Sequence, residues 1–238
     1  MRKKRKQNEI RPLSVTVEYI KGEKSSILFE LGHTRVLSVS TIQYGVPKFL
    51  EEQSMGWISA EYGMLPRSSP NRIQRERVSL SGRSYEIQRF IGRSLRASCD
   101  LSLLDGYTVL IDVDVIQADG GTRVAAINGG MMSLYILLRD MVTQGLIEKM
   151  PVISLIGAIS IGIQNTEILL DPDYEEDSTL DVDMNVVMNE RKEIIEINAV
   201  TEGNPFTMGD LKKILSLANN GIQQIIDLQR QYLSLELA

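Results

Sequence analysis

"DVDVIQADGGTRVAAI", residues 112–127, joins two patterns that need different backbones. Just upstream, "TVLIDVDVI" (108–116) alternates and sets Val109, Ile111, Val113 and Val115 on one face of a strand. Downstream the apolar spacing turns helical at once, and a helix is expected from about Thr122 to Thr143. Between them stand Asp119, Gly120, Gly121, Thr122 and Arg123. A helix start presents unpaired N–H groups and partial positive charge, which suit an oxyanion. Glycine lets the backbone approach closely, and arginine adds a planar fork of donors. By spacing alone the same residues also read as a plain strand-to-helix turn with Arg123 in solvent. Neither a Walker loop nor G-x-G-x-x-G is present.

"SGRS" (81–84) repeats the combination of glycine and arginine at a helix start. Ser84 is the expected N-cap there, and Ile87, Phe90, Ile91 and Leu95 form the apolar stripe that follows. Before it, residues 63–82 show no apolar period and hold Arg67, Arg72, Arg75 and Arg77, so a long functional or mobile loop is expected. Further strands are expected at 13–20, 25–31, 34–42, 152–163, 166–170, 181–188 and 193–200. A last helix begins near Thr207, where Thr207 and Asp210 form a capping box. Strands, helix, strand, helix, strands, helix is an α+β order of mixed sheets with packed helices. It reads as two similar halves, 10–143 and 151–230, within one domain spanning 1–238.

The net charge of −5 hides a division. Glu61–Arg96 holds eight Arg against three Glu, a net +5, whereas Thr166–Glu202 holds twelve acids against two bases, a net −10. Such poles suggest phosphate handling at one and cation handling at the other. In the acidic pole, alternation from Asp181 puts Asp183 and Asn185 on one face, and Asp177 lies where a turn could fold it back beside Asp183. Two carboxylates suit Mg²⁺ completed by water and phosphate oxygens. Mn²⁺ would satisfy the same ligands. A solvated acidic edge is the other reading.

One histidine, His33, leaves no His-based metal cluster and little room for a Ser-His-Asp triad. The single cysteine, Cys99, excludes an internal disulfide and is expected as buried filler. "PVISLIGAISIGI" (151–163) is too short to span a bilayer, no signal peptide is visible, and a cytoplasmic location without membrane contact is expected. The basic run "RKKRK" (2–6) reads as a frayed, solvated tail in preference to a nucleic-acid contact.

Five stretches, "GWISAEYGMLPR" (56–67), "GRSYEIQRFIGRSLRA" (82–97), "DVDVIQADGGTRVAAI" (112–127), "DYEEDSTLDVDMNVVM" (173–188) and "AVTEGNPF" (199–206), resemble the ribonuclease PH family in order and spacing. The likeness covers nearly the whole chain and is strongest to the bacterial members, ahead of catalytic exosome subunits and polynucleotide phosphorylase core domains. It implies the ribonuclease PH fold (ribosomal protein S5 domain 2-like). It also implies a phosphorolytic 3′-to-5′ exoribonuclease, a nucleotidyltransferase that trims transfer-RNA 3′ ends and releases nucleoside 5′-diphosphates. By motif, Arg83, Gly121, Thr122 and Arg123 would bind the attacking inorganic phosphate. Asp177 and Asp183 would be catalytic and would hold Mg²⁺, while Arg67, Arg72, Arg75 and Arg77 would grip the RNA. The resemblance implies a hexameric ring of dimers of identical chains. A non-catalytic, RNA-binding ring subunit of an exosome-like assembly is the alternative.

Overall fold

The alternating stretch becomes β5 (Tyr107–Gln117), and what flanks it organises half of the structure. The computed structural model describes residue 2, residues 5–75 and residues 81–234. One sheet carries β1 (Leu13–Val17), β2 (Ile27–Leu31), β3 (Thr34–Tyr44), β5 and β4 (Trp57–Met64), in the order β1-β2-β3-β5-β4. All its pairs are antiparallel except β4 with β5. A parallel pair needs a crossover, and α1 (Gly82–Arg96) provides it. The second sheet is antiparallel, in the order β7-β6-β8-β9, built from β6 (Ile156–Gln164), β7 (Glu167–Leu170), β8 (Val182–Asn189) and β9 (Ile194–Thr201).

The helix after β5, α2 (Thr122–Thr143), packs on strands of both sheets, so its sequence is apolar nearly all round. Helix α4 (Met208–Leu233) covers the other sheet with one stripe, Ile214, Ala218, Ile222, Ile225 and Ile226, all fully buried. Strand β7 pairs β6 only over Ile161–Gln164, which would leave the rest of that buried edge of β6 unpaired. Three other groups complete it. The Asp171 N–H donates to Ser160 O (2.8 Å). Asn128, fully buried in α2, donates to Ala158 O (2.9 Å) and accepts from Ala158 N–H (2.8 Å). Gln229 of α4 donates to Ile156 O (3.0 Å). These bonds fix α2 and α4 in register with β6.

Several expectations are corrected. Strand β4 lies largely in sequence to which no element was given. Its core-facing Ile58, Ala60 and Tyr62 are too few to announce a strand, and its pairing comes from distant β5. Helix α1 is capped by Ser81, not Ser84, because Ser81 is extended and its Oγ accepts from the Ser84 N–H (3.2 Å). The strand expected over 152–163 starts at Ile156, and Val152 makes only an isolated bridge to Cys99. A short helix, α3 (Tyr174–Asp177), was not expected; its N-cap Asp173 and Glu176 form a capping box. The basic run is corrected at Arg2 and Arg5, which are ion-paired to Glu176; Lys6 is exposed, and Lys3 and Lys4 lie outside the described residues. Cys99 is buried, and burial pushes its thiol up to about 11, which makes it inert. Among the described residues no helix is long and apolar enough to cross a membrane.

Candidate active site

At residues 119–121 the chain leaves β5 and starts α2, with Gly120 at φ +77° and Gly121 at φ +67°. Both lie in the left-handed region, which glycine enters without steric cost. A Cβ on Gly120 would lie 2.7 Å from Pro172 O and 2.8 Å from Asp173 C. The turn therefore packs directly on the backbone that starts α3. The turn's polar groups are held from behind: Thr34 Oγ1 donates to Gly120 O (2.6 Å) and accepts from the Asp119 N–H (3.0 Å).

Gly121 is the N-cap of α2 and supplies no side-chain acceptor, so the first-turn amides face outward uncapped. They open on a cleft of about 350 Å³. Its lining includes Arg83, Gly121, Thr122, Arg123, Asp177 and Asp183, the residues expected to bind phosphate and to carry catalysis. Arg83 and Arg123 come from the first turns of α1 and α2, Asp177 from α3 and Asp183 from β8. Asn185 lies on the same side of β8 and accepts from Ser160 Oγ (2.9 Å) at the cleft lining.

Sequence reasoning missed several neighbours. Tyr62 donates to Thr122 Oγ1 (2.9 Å), which leaves the Thr122 hydroxyl proton free to donate to an anion. Burial pushes the Tyr62 phenol up, against its bond to Thr122 and the charges of Arg83 and Arg123, so it stays a donor. Ser69, Pro70 and Asn71 line the cleft from the long loop. Arg67 and Arg72 are exposed on that loop outside the lining, with Arg67 donating to Pro70 O (2.8 Å). Arg75 lines a neighbouring cleft, and Arg77 lies outside the described residues. Period and spacing could not single out Ser69–Asn71, because a loop has neither.

Charge separates the two clefts. The neighbouring one, about 390 Å³, shares Arg83 but is lined by Glu61, Asp112 and Asp114. There burial, and then Glu61 and Asp114, push the Asp112 carboxyl up. That cleft sets those three acids against Arg75 and Arg83, which makes it the less favourable of the two for an anion. In the first cleft two guanidiniums and the open helix mouth face two carboxylates. Among the described residues no carboxylate comes within ion-pair distance of Arg83, and Arg123 reaches Glu86 only at 4.0 Å.

Burial raises both acids above the usual carboxylate range. For Asp177 the charge of Asp183 adds to it while Arg123 and Arg83 oppose it; for Asp183 the same arginines oppose and Glu202 adds. No hydrogen bond from another side chain reaches either carboxylate among the described residues, and no third His, Cys, Asp or Glu joins them there. Two half-buried carboxylates held against their own repulsion fit a hard divalent cation that keeps most of its sites for water or phosphate oxygen.

The family model described as "3′ exoribonuclease family, domain 1" matches residues 9–138, and "3′ exoribonuclease family, domain 2" matches residues 154–221. The chain belongs to the 3′ exoribonuclease family. Among solved structures, rice (Oryza sativa) Rrp46 is 20% identical over 97% of this chain and 98% of its own, with a TM-score of 0.75. A chain of the Archaeoglobus fulgidus exosome, solved with RNA bound to the active site, is 21% identical over 94% of this chain and 90% of its own, at 0.79. An archaeal exosome core chain is 20% identical over 96% and 89%, at 0.74. At such identities these three share the fold with this family member, and the likeness says nothing further.

Proposed function

We propose that this chain is a phosphate-dependent 3′-to-5′ exoribonuclease of the bacterial ribonuclease PH type, trimming the 3′ ends of transfer-RNA precursors. The observation that carries the reading is one cleft in which Arg83 and the Gly121-Thr122-Arg123 turn face Asp177 and Asp183. A purely hydrolytic nuclease has no use for a second anion site. The uncapped start of α2, flanked by two guanidiniums, is suited to inorganic phosphate.

The chemistry follows from what must be neutralised. Phosphate and the RNA backbone are both anionic, and phosphoryl transfer depends on alignment and charge stabilisation more than on covalent help. The Thr122 hydroxyl, the α2 amides, Arg83 and Arg123 would hold phosphate with one oxygen in line with the terminal phosphodiester. That oxygen bonds to phosphorus as the bond to the 3′ oxygen breaks and the proton of the attacking hydrogen phosphate passes to the 3′ oxygen, giving a nucleoside 5′-diphosphate and an RNA one residue shorter with a 3′ hydroxyl. Asp177 and Asp183 would hold Mg²⁺, or Mn²⁺ in its place. When bound, such an ion stabilises charge on the leaving 3′ oxygen. Arg67, Arg72, Arg75 and Arg77 would contact the RNA backbone. The working form is proposed as a cytoplasmic hexameric ring of identical chains, grouping these loops around the entry.

Removal of one cleft arginine, as in Arg123→Ala, is expected to cost about 3 kcal/mol of transition-state stabilisation, roughly a hundredfold in rate. The deciding experiment is thin-layer separation of the products from a short RNA, with and without inorganic phosphate. Nucleoside diphosphates formed only with phosphate are expected. Monophosphates formed without it would mean a hydrolase. No product in either case would mean a non-catalytic RNA-binding ring subunit.

A further inference from the structure

Three arginines near the start of the chain, Arg2, Arg5 and Arg11, turn inward. Arg2, its side chain 2% exposed, grips Glu176 with two bonds, Nε to Oε1 (2.7 Å) and Nη2 to Oε2 (2.8 Å), and donates also to Leu170 O (2.8 Å). Arg5 donates from one nitrogen to Glu176 Oε2 (3.0 Å) and to Asp171 O (2.6 Å). Arg11 grips the fully buried Asp171 carboxylate in the same forked way, Nη2 to Oδ1 (2.6 Å) and Nε to Oδ2 (3.0 Å). From its other side Arg11 donates to the carbonyls of Asp119 and Gly120.

These bonds form one continuous chain: the glycine turn, Arg11, Asp171, Arg5, Glu176, Arg2. It starts at the turn that opens α2 and, through Arg5 and Arg2, grips Glu176, the residue next to Asp177. The two ends come from different halves of the sequence, and they carry the opposed charges of the cleft. We propose that Arg2, Arg5 and Arg11 are positioning residues: through Asp171 and Glu176 they hold the carboxylate helix α3 at a fixed separation from the anion-binding turn. Forked arginine–carboxylate pairs are directional, so they fix orientation as well as distance. Helix α3 has only four residues and none of them is buried, so apart from the contact of its start with Gly120, packing gives it little hold. The side of the clamp that governs Asp177 is Arg2 and Arg5; the side that governs the turn is Arg11.

The activity and Mn²⁺ parts of the test rest on the function proposed above, and hydrogen exchange does not. The full-length protein is compared with Arg2→Ala/Arg5→Ala and with Arg2→Lys/Arg5→Lys. Hydrogen exchange at the Asp177 and Ser178 amides, which now donate to Asp173 O (2.8 Å) and Tyr174 O (3.1 Å), is expected to quicken in the alanine pair. Mn²⁺ affinity, read by electron paramagnetic resonance without RNA or phosphate, is expected to fall about tenfold, as for other groups that orient ligands. In phosphorolysis kcat is expected to fall by about tenfold to a hundredfold while the KM for phosphate holds, because Arg11 still braces the turn. The lysine pair keeps the charges but not the fork, and should fall between. A purely structural arm would lower the melting temperature and leave Mn²⁺ affinity and the kcat-to-KM split unmoved, which overturns the proposal. Unchanged exchange at Asp177 and Ser178 also overturns it, whether or not the wild type binds Mn²⁺. A wild type that holds Mn²⁺ but forms no diphosphate defeats the functional reading alone, and exchange and Mn²⁺ affinity still decide this one.

Discussion

Alanine at Gly120 and alanine at Gly121 are a small change made twice, and they are expected to act differently. Both positions are left-handed, at φ +77° and +67°, which costs an L-residue about 1–2 kcal/mol. At Gly120 the added Cβ would also lie 2.7 Å from Pro172 O and 2.8 Å from Asp173 C, both backbone atoms. The turn cannot retreat, since Thr34 Oγ1 and Arg11 hold the Gly120 carbonyl from behind. Forced overpacking of this kind costs about 1–3 kcal/mol. The sum for Gly120→Ala is about 2–5 kcal/mol, a fall in melting temperature of roughly 4–20 °C for a chain of this size. At Gly121 the nearest atoms to the new Cβ are side-chain ends, Arg11 Nη2 at 3.2 Å and Val124 Cγ2 at 3.4 Å, so beyond the backbone term Arg11 has to give by only a few tenths of an ångström. Its methyl group would instead enter the cleft beside the α2 amides. Thermal unfolding followed by circular dichroism, with phosphate saturation curves on the folded variants, separates the two. Gly121→Ala should keep most of its stability and raise the KM for phosphate, whereas Gly120→Ala should lose stability first. Equal losses of stability in both, or unaltered phosphate saturation in Gly121→Ala, would refute the assignment of one glycine to packing and the other to the ligand.

Three other perturbations follow from the same geometry. Asp183→Asn removes a charge that burial disfavours, so at about pH 7 without metal it should melt higher, by about 1 kcal/mol, while turnover collapses. A metal-free variant that melts no higher would show that Arg83 and Arg123 already cancel the cost. Asn128→Ala leaves the buried N–H and C=O of Ala158 without partners and should cost about 2–5 kcal/mol in chemical denaturation, whereas a loss under 1 kcal/mol would mean that water replaces the amide. Asp210 titrates below its usual range because the Thr207 hydroxyl and N–H donate to it, so its help to α4 is present above the unfolded value of 3.8 and is lost as pH falls through the lower folded one. Asp210→Ala should therefore melt below wild type near neutral pH and match it in strong acid; a gap that persists in acid would assign the effect to helix propensity instead.

What could be read in advance divides along a physical line. Strand β5, helix α2 and the Thr207–Asp210 box declare themselves because each rests on local periodicity or on a cap three residues away. Strand β4 does not, since it is defined by its register with β5; helix α3 has a local cap in Asp173 and Glu176, but its four residues give no apolar period to go with it. The site divides in the same way. Arg83, Arg123, Asp177 and Asp183 were legible as residue types at telling positions, whereas Tyr62, Ser69 and Asn71 had no spacing to betray them.

The two charge poles meet in space. Arg93 of α1 pairs with Glu196 of β9, and Glu86 of α1 accepts from Asn198. Asp171 and Glu176 are consumed by the arginines of the amino-terminal segment, and Asp177 and Asp183 are left in the cleft. Net charge by segment could not tell these fates apart, because an acid in a clamp and an acid facing a cleft count the same. Their partners do tell them apart. Glu176 is held below its ordinary range: burial would raise it, but the bond from Arg2, the Asp173 amide and the charges of Arg2 and Arg5 outweigh that. Asp177, one residue on, is raised by burial and by Asp183. Adjacent carboxylates driven in opposite directions are what a site requires when one acid must anchor the helix and its neighbour must remain available for chemistry.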